Sequence, residues 1–319
     1  MSLEVRPIRE AEWAAAGRVY TAALPHDPIS GPELRKRQEE QQDWGYKAGV
    51  LVVVDAQGTV IGTASYFQNP GAYHPGRFTL ELAVDPSAQG QGSGAALWRA
   101  LEARLRQEGA EAARVLARED HPVAPDFLRC RGFVGDKRYF TSALEVAGFD
   151  EAPYQGLLER LAQQGIQIRS LADLRGVGLP ELETRLHALM NDVRADVPRA
   201  EPATPLSFQV FKEAVLGDPG LLPTAYLVAE HQGQFVGQTV LFRSEASGDL
   251  MTGLTGVTRA WRGQGVATAL KVRAILAARE LGATLIRTDN ASDNAPMLAI
   301  NDRLGFVRNP ASVSYMLQF

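Results

Sequence analysis

A glycine-rich turn between a β-like run and a helical run occurs twice in this chain, and its spacing constrains the fold more than any other feature. Gln89-Gly90-Gln91-Gly92-Ser93-Gly94 and Arg262-Gly263-Gln264-Gly265-Val266-Ala267 lie 173 residues apart, as do Gly132-Phe133 and Gly305-Phe306. Two landmarks at one offset mean a duplicated domain. A chain of 319 residues is long enough for two such domains, each with its own core. A boundary near Ala147 divides it into domains 1–146 and 147–319.

Periodicity fills in each copy. In the first, Val50 to Asp55 and Thr59 to Phe67 read as a hairpin, and Arg77 to Val84 as a strand leading into the turn. Gln91 to Gln107 reads as a helix with Leu97, Leu101 and Leu105 on one face. A strand over Arg114 to Ala117, a helix over Pro122 to Cys130 and a closing strand over Arg138 to Val146 follow. The second copy repeats the order from Ala225, with the helix at Gly265 to Leu281 and a closing strand at Ser312 to Leu317. Phe149 to Gln164 reads as a joining helix, and Asn191 to Leu206 as a loop over the second site.

The turn points to anion binding. A helix start leaves backbone N–H groups without partners and carries partial positive charge, and glycine removes the Cβ atoms that keep an anion away. A Rossmann site, and with it a nicotinamide-dependent oxidoreductase, is the weaker alternative, because the turn follows an antiparallel hairpin and the second copy has Thr268 in the third small position. No Gly-Lys-Ser/Thr follows, which excludes a Walker loop. With 33 Lys+Arg against 37 Asp+Glu, the chain carries net charge −4, which argues against nucleic acid as a partner. A single cysteine, Cys130, excludes an intrachain disulfide and a thiolate metal cluster. No apolar run reaches membrane-spanning length, so no membrane partner is expected, and the chain reads as cytoplasmic.

Strand, Q/R-x-x-G-x-G/A, helix, strand, helix and Gly-Phe together resemble the GNAT superfamily of acetyl-CoA-dependent N-acetyltransferases, with two tandem domains as in mycothiol synthase-like members. The resemblance implies an α/β (α+β) fold, each domain a mixed, mostly antiparallel sheet with splayed central strands flanked by helices. It implies acetyl-CoA as co-substrate, no metal, and direct attack by a primary amine of a small molecule or peptide. The diphosphate would sit on Gln89, Gly90, Gln91, Gly92, Ser93 and Gly94, or on Arg262, Gly263, Gln264, Gly265, Val266 and Ala267. The pantetheine arm would lie along Leu82 to Val84, or along Thr255 to Val257.

The copies differ beyond the turn. Asn290 and Asn294 belong to a family-like N-x-x-x-N-x-x-M segment, for which the first copy has Ala117 and His121. The second domain is therefore expected to be the catalyst. Family members often place an acidic tyrosine where Asn301 and Leu128 stand here, which leaves Tyr315 as the substitute acid. Glu81, three residues before Val84, is the candidate base, although it lies in the first copy. The competing expectation is a coenzyme-A-binding pseudoenzyme without turnover. A monomer or a homodimer fits either expectation.

Overall fold

In the computed structural model, which describes residues 3–319, the chain forms two compact units. Unit 1 comprises residues 1–136, 245–247 and 313–319; unit 2 comprises 137–244 and 248–312. Along the chain come β1 (Glu4–Pro7), α1 (Trp13–Ala23), α2 (Gly31–Asp43), β2 (Ala48–Val54), β3 (Val60–Phe67) and β4 (Arg77–Val84). Then follow α3 (Ser93–Gln107), β5 (Ala112–Arg118), α4 (Ala124–Arg129), β6 (Val134–Glu145), α5 (Gln155–Gln163), β7 (Ile166–Ser170), α6 (Leu171–Gly176) and α7 (Leu182–Ala195). The remainder is α8 (Phe208–Phe211), β8 (Leu221–His231), β9 (Gln234–Arg243), β10 (Leu250–Val257), α9 (Val266–Glu280), β11 (Leu285–Ala291), α10 (Ala295–Arg303), β12 (Val307–Arg308) and β13 (Ser312–Gln318).

Each unit is a mixed, mostly antiparallel sheet with helices against it. The strand order is β1-β2-β3-β4-β5-β13 in unit 1 and β6-β11-β10-β9-β8-β7 in unit 2. The parallel pairs are β4 with β5 and β10 with β11. The helix after each turn buries an apolar face on this sheet. Leu97, Leu101 and Leu105 of α3 are buried as their spacing requires, and α9 buries Val266, Leu270 and Ala274. Glycines at matching places in the hairpins let these helices approach. A Cβ on Gly62 would lie 2.9 Å from Leu97, and one on Gly237 would lie 3.2 Å from Leu270.

The closing strands depart from expectation. Tyr139 to Glu145 of β6 pair antiparallel with Leu285 to Ala291 of β11, so this strand closes unit 2 and not the copy that precedes it. β13 neighbours β5 and belongs to unit 1. The two strands occupy equivalent places in the repeat, Tyr139 and Ser312 being 173 residues apart. Their alternation fits either sheet, so local pattern does not choose the partner. The division expected at 146/147 therefore differs from the compact units at both closing strands. The sequence analysis assigned none of β7, α6 and α7, and the segment read as a loop from Asn191 begins with the last turn of α7, which continues to Ala195. Among the described residues, no helix is long and apolar enough to cross a membrane.

Candidate active site

In each unit the strand that feeds the turn parts from its parallel neighbour. β4 pairs with β5 from Arg77 to Leu80, leaving Glu81 to Val84 outside that ladder. β10 pairs with β11 only at Leu250 and Met251, so the opened edge runs from Thr252 to Val257. On its other side β10 carries a register shift between Thr252 and Thr255 against β9, whereas β4 pairs with β3 without interruption. A bulge of this kind bends a strand and turns its backbone groups.

The last residue of each strand presents its N–H to the opening. Thr258 N–H donates to Val236 O at 2.9 Å and Asp85 N–H to Ile61 O at 2.9 Å, both toward the hairpin side. Neighbouring residues on a strand face opposite edges, so Val257 and Val84 face the splay. Their carbonyls on that edge are already taken. Arg262 Nε donates to Val257 O at 3.0 Å, and Gln89 Nε2 donates to Val84 O at 3.0 Å. Gln264 Nε2 likewise braces Ala260 O at 3.2 Å, and Gln91 Nε2 braces Ser87 O at 3.0 Å. The long side chains of both turns thus stiffen the loop from within, and the ligand side is left to backbone.

Both turns use left-handed glycines, at φ +74° and +89° for Gly90 and Gly92 and +75° and +91° for Gly263 and Gly265. Their surroundings differ. A Cβ at Gly90, Gly92 or Gly263 would meet nothing within 4 Å. At Gly265 it would lie 2.7 Å from Leu157 Cδ1 and 3.4 Å from Arg160 Nη2, both carried by α5. Beside the same turn, Asp196 accepts from Arg259 at 2.6 Å and from Arg262 at 2.6 Å. Hydrogen bonds from these two guanidiniums hold its carboxyl well below the usual carboxylate range. Arg262, expected to face a diphosphate, is therefore committed to Val257 O and Asp196. The segment after α7 does reach this turn through Asp196, and it is held by Ala200 N–H donating to Tyr139 Oη at 2.9 Å and Leu206 N–H donating to Asn191 Oδ1 at 2.9 Å. Val193 of α7 packs on the opened strand, since a Cβ at Gly256 would lie 2.6 Å from its Cβ.

The asparagine segment is mostly occupied with structure. Asn294 caps α10 by accepting from Met297 N–H, and Asn290 Oδ1 accepts from Asn301 Nδ2 at 2.6 Å. Asn301 is buried with its Oδ1 unmatched among the described residues. Asp293 pairs with Lys137 at 2.7 Å. In unit 1, Glu81 is engaged from both sides, by Arg37 Nη1 at 2.6 Å and Ser65 Oγ at 3.0 Å. The charge of Glu81 raises the Arg37 pKa and, after burial, is the next cause lifting the Tyr20 hydroxyl well above its ordinary value. Tyr315 falls in unit 1, because β13 closes that sheet, and it is buried in the core cluster with Phe78, Trp98 and Phe133. The proposed acid and the second turn thus belong to different units. Its distance along the chain from the second turn gave no warning of this. Sequence reasoning missed Leu157, Arg160, Asp196 and Val193, none of which has a motif; α5 has no earlier counterpart in the repeat from which its contact could be read.

The model of the acetyltransferase (GNAT) family matches residues 13–133 and 186–306, one match for each copy of the turn. A mycothiol acetyltransferase of Amycolatopsis mediterranei (strain U-32) is 25% identical over 293 residues, which are 85% of this chain and 85% of that protein. A tandem GNAT protein from the clavulanic acid biosynthesis pathway shares the fold with a TM-score of 0.74 at 18% identity, covering 99% of this chain and 98% of that one. A GCN5-related N-acetyltransferase from Sphaerobacter thermophilus superposes with a TM-score of 0.71 at 19% identity, covering 99% and 95%.

Proposed function

The chain belongs to the acetyltransferase (GNAT) family, and from that premise we propose that it moves an acetyl group from acetyl-CoA to the primary amine of a small molecule or peptide, by direct attack in unit 2. The observation that carries this is the opened edge of β10, which leaves β11 after Met251, bulges between Thr252 and Thr255, and runs into bared turn backbone. The residues fit such a donor. Gly263 has left-handed backbone and nothing within 4 Å of its missing Cβ, so phosphate oxygens can approach the helix start. Val266 and Ala267 would offer N–H groups there, and Gly263, Gln264 and Gly265 the turn backbone. Thr255 and Val257 lie on the edge that would pair with an extended amide-bearing arm.

When bound, the donor supplies an acetyl thioester, which a neutral amine converts to an amide with release of the thiol. This chain's part is to hold and polarise. The Val257 N–H, on the strand edge that faces the splay, would stabilise negative charge on the carbonyl oxygen. Asn290, near the end of β11, and Asn294, the N-cap of α10, would add polar groups for the same donor. Unit 1 repeats the turn with Leu82, Val84 and Gln89 to Gly94, and would take a second donor molecule. The mycothiol acetyltransferase relative, which matches over 85% of each chain, supports acetyl transfer.

Asn301, buried at the place of the expected tyrosine, favours a second reading, a coenzyme-A-binding module without turnover. One experiment separates the readings: thiol release from acetyl-CoA with a panel of amines. Gly263→Glu places a carboxylate against the diphosphate and is expected to cut turnover at least about a hundredfold, since like-charge juxtaposition costs several kcal/mol. Gly58→Glu, at φ +80° with nothing within 4 Å in the β2–β3 hairpin of unit 1, imposes equal backbone strain and is expected to retain activity. Normal turnover by Gly263→Glu would overturn the assignment to unit 2. Binding of coenzyme A without thiol release from any amine would favour the second reading.

A further inference from the structure

A turn that binds a diphosphate through backbone N–H groups gains from a cation beside it, and the arginine in the turn itself is committed elsewhere. Arg262 spends Nε on Val257 O and Nη2 on Asp196 Oδ2, while Arg259 is paired with the same carboxylate. Arg160 is different. Its Nη2 donates to Gln264 O at 3.2 Å, which fixes the guanidinium on the lip of the turn. Among the described residues no carboxylate pairs with it, and its side chain is exposed, which leaves the other donors of its five-donor fork to solvent or a ligand. Leu157, one helical turn earlier on α5, sets this placement by filling the space left by the absent Cβ of Gly265. Gly265 thus serves helix packing as well as left-handed backbone, and the packing brings in a cation.

We propose that Arg160 of α5 is a diphosphate-binding residue of the second turn, supplying the guanidinium that Arg262 does not. The inference rests on the reading of unit 2 as a donor site and deepens it. Arg160 contributes charge-assisted hydrogen bonds to phosphate oxygens, the geometry to which a planar guanidinium is suited. The first turn has no such neighbour, since a Cβ at Gly92, the counterpart of Gly265, would meet nothing within 4 Å. The second turn therefore holds the diphosphate more tightly than the first.

The test is calorimetric titration of coenzyme A into the full-length chain, with thermal melting as the check on folding. Arg160→Ala is expected to weaken binding at the tighter site about tenfold and to leave the melting temperature nearly unchanged, as befits an exposed side chain. Arg160→Lys keeps the charge and is expected to lose less than about threefold. In steady state the Arg160→Ala loss is expected in KM for acetyl-CoA, not in kcat or in KM for the amine. If the parent binds coenzyme A and Arg160→Ala binds it equally well, the assignment of Arg160 is overturned while the donor site stands. If the parent binds no coenzyme A, the donor site itself falls and Arg160 with it.

Discussion

Lys271 lies on the inner face of α9, 3% exposed, with Nζ 5.0 Å from the ring centre of Phe306. The equivalent residues 173 earlier are Trp98 and Phe133, which make an edge-to-face pair with centroids 5.2 Å apart. A lysine therefore occupies a place that the other copy fills with an apolar ring. Burial pushes its pKa down to about 8 from an ordinary 10.5. At 1.36 kcal/mol per pH unit, holding the ammonium inside costs about 3 kcal/mol near pH 7. The contact with Phe306 returns about 1 to 2 kcal/mol. Lys271→Met conserves length and removes the charge, so it is expected to stabilise unit 2 by about 1 to 2 kcal/mol at pH 7. The pH dependence follows from proton counts. Between about 8 and 10.5 the unfolded lysine holds a proton that the folded one has released, so the parent gains stability as pH rises through that window. The advantage of Lys271→Met should shrink over the same interval. Guanidinium denaturation of parent and variant at pH 7 and pH 10 measures both quantities. A variant less stable than the parent at pH 7, or a gap that is the same at both pH values, would refute the reasoning.

Two further outcomes concern the sheets. A chain ending at Ala311 lacks β13 and the buried Tyr315, and is expected to lose protection in unit 1 while unit 2 keeps its slow-exchanging amides, as hydrogen exchange would show. Gly256→Ala would force a Cβ to within 2.6 Å of Val193 and is expected to cost about 1 to 3 kcal/mol. Adding Val193→Ala should then cost less in the Gly256→Ala background than in the parent, a coupling that a double-mutant cycle in urea reads directly.

Much of this protein was legible from local pattern. The turns are set by glycine spacing, because left-handed backbone at Gly90, Gly92, Gly263 and Gly265 is a property of those residues themselves. The helix after each turn followed from Leu97, Leu101 and Leu105 and from their second-copy counterparts, and α3 and α9 begin within two residues of the places expected.

What decided the site was long-range. Whether β6 or β13 closes a given sheet depends on which edge is unpaired when the strand arrives, and two strands of equivalent pattern carry no mark of that choice. Tyr315 was misplaced for this reason alone: its burial in unit 1 follows from the edge its strand joins. The same holds for charge. Composition gives the number of arginines, but only the folded segment after α7 brings Asp196 to Arg259 and Arg262, and only the packing of Leu157 on Gly265 sets Arg160 at the turn. The sequence by itself determined a left-handed glycine pair before each of two helices, because that requires a few neighbouring residues. Tertiary structure decided which guanidinium stands beside them, because an ion pair forms wherever the fold brings opposite charges together, at any separation along the chain.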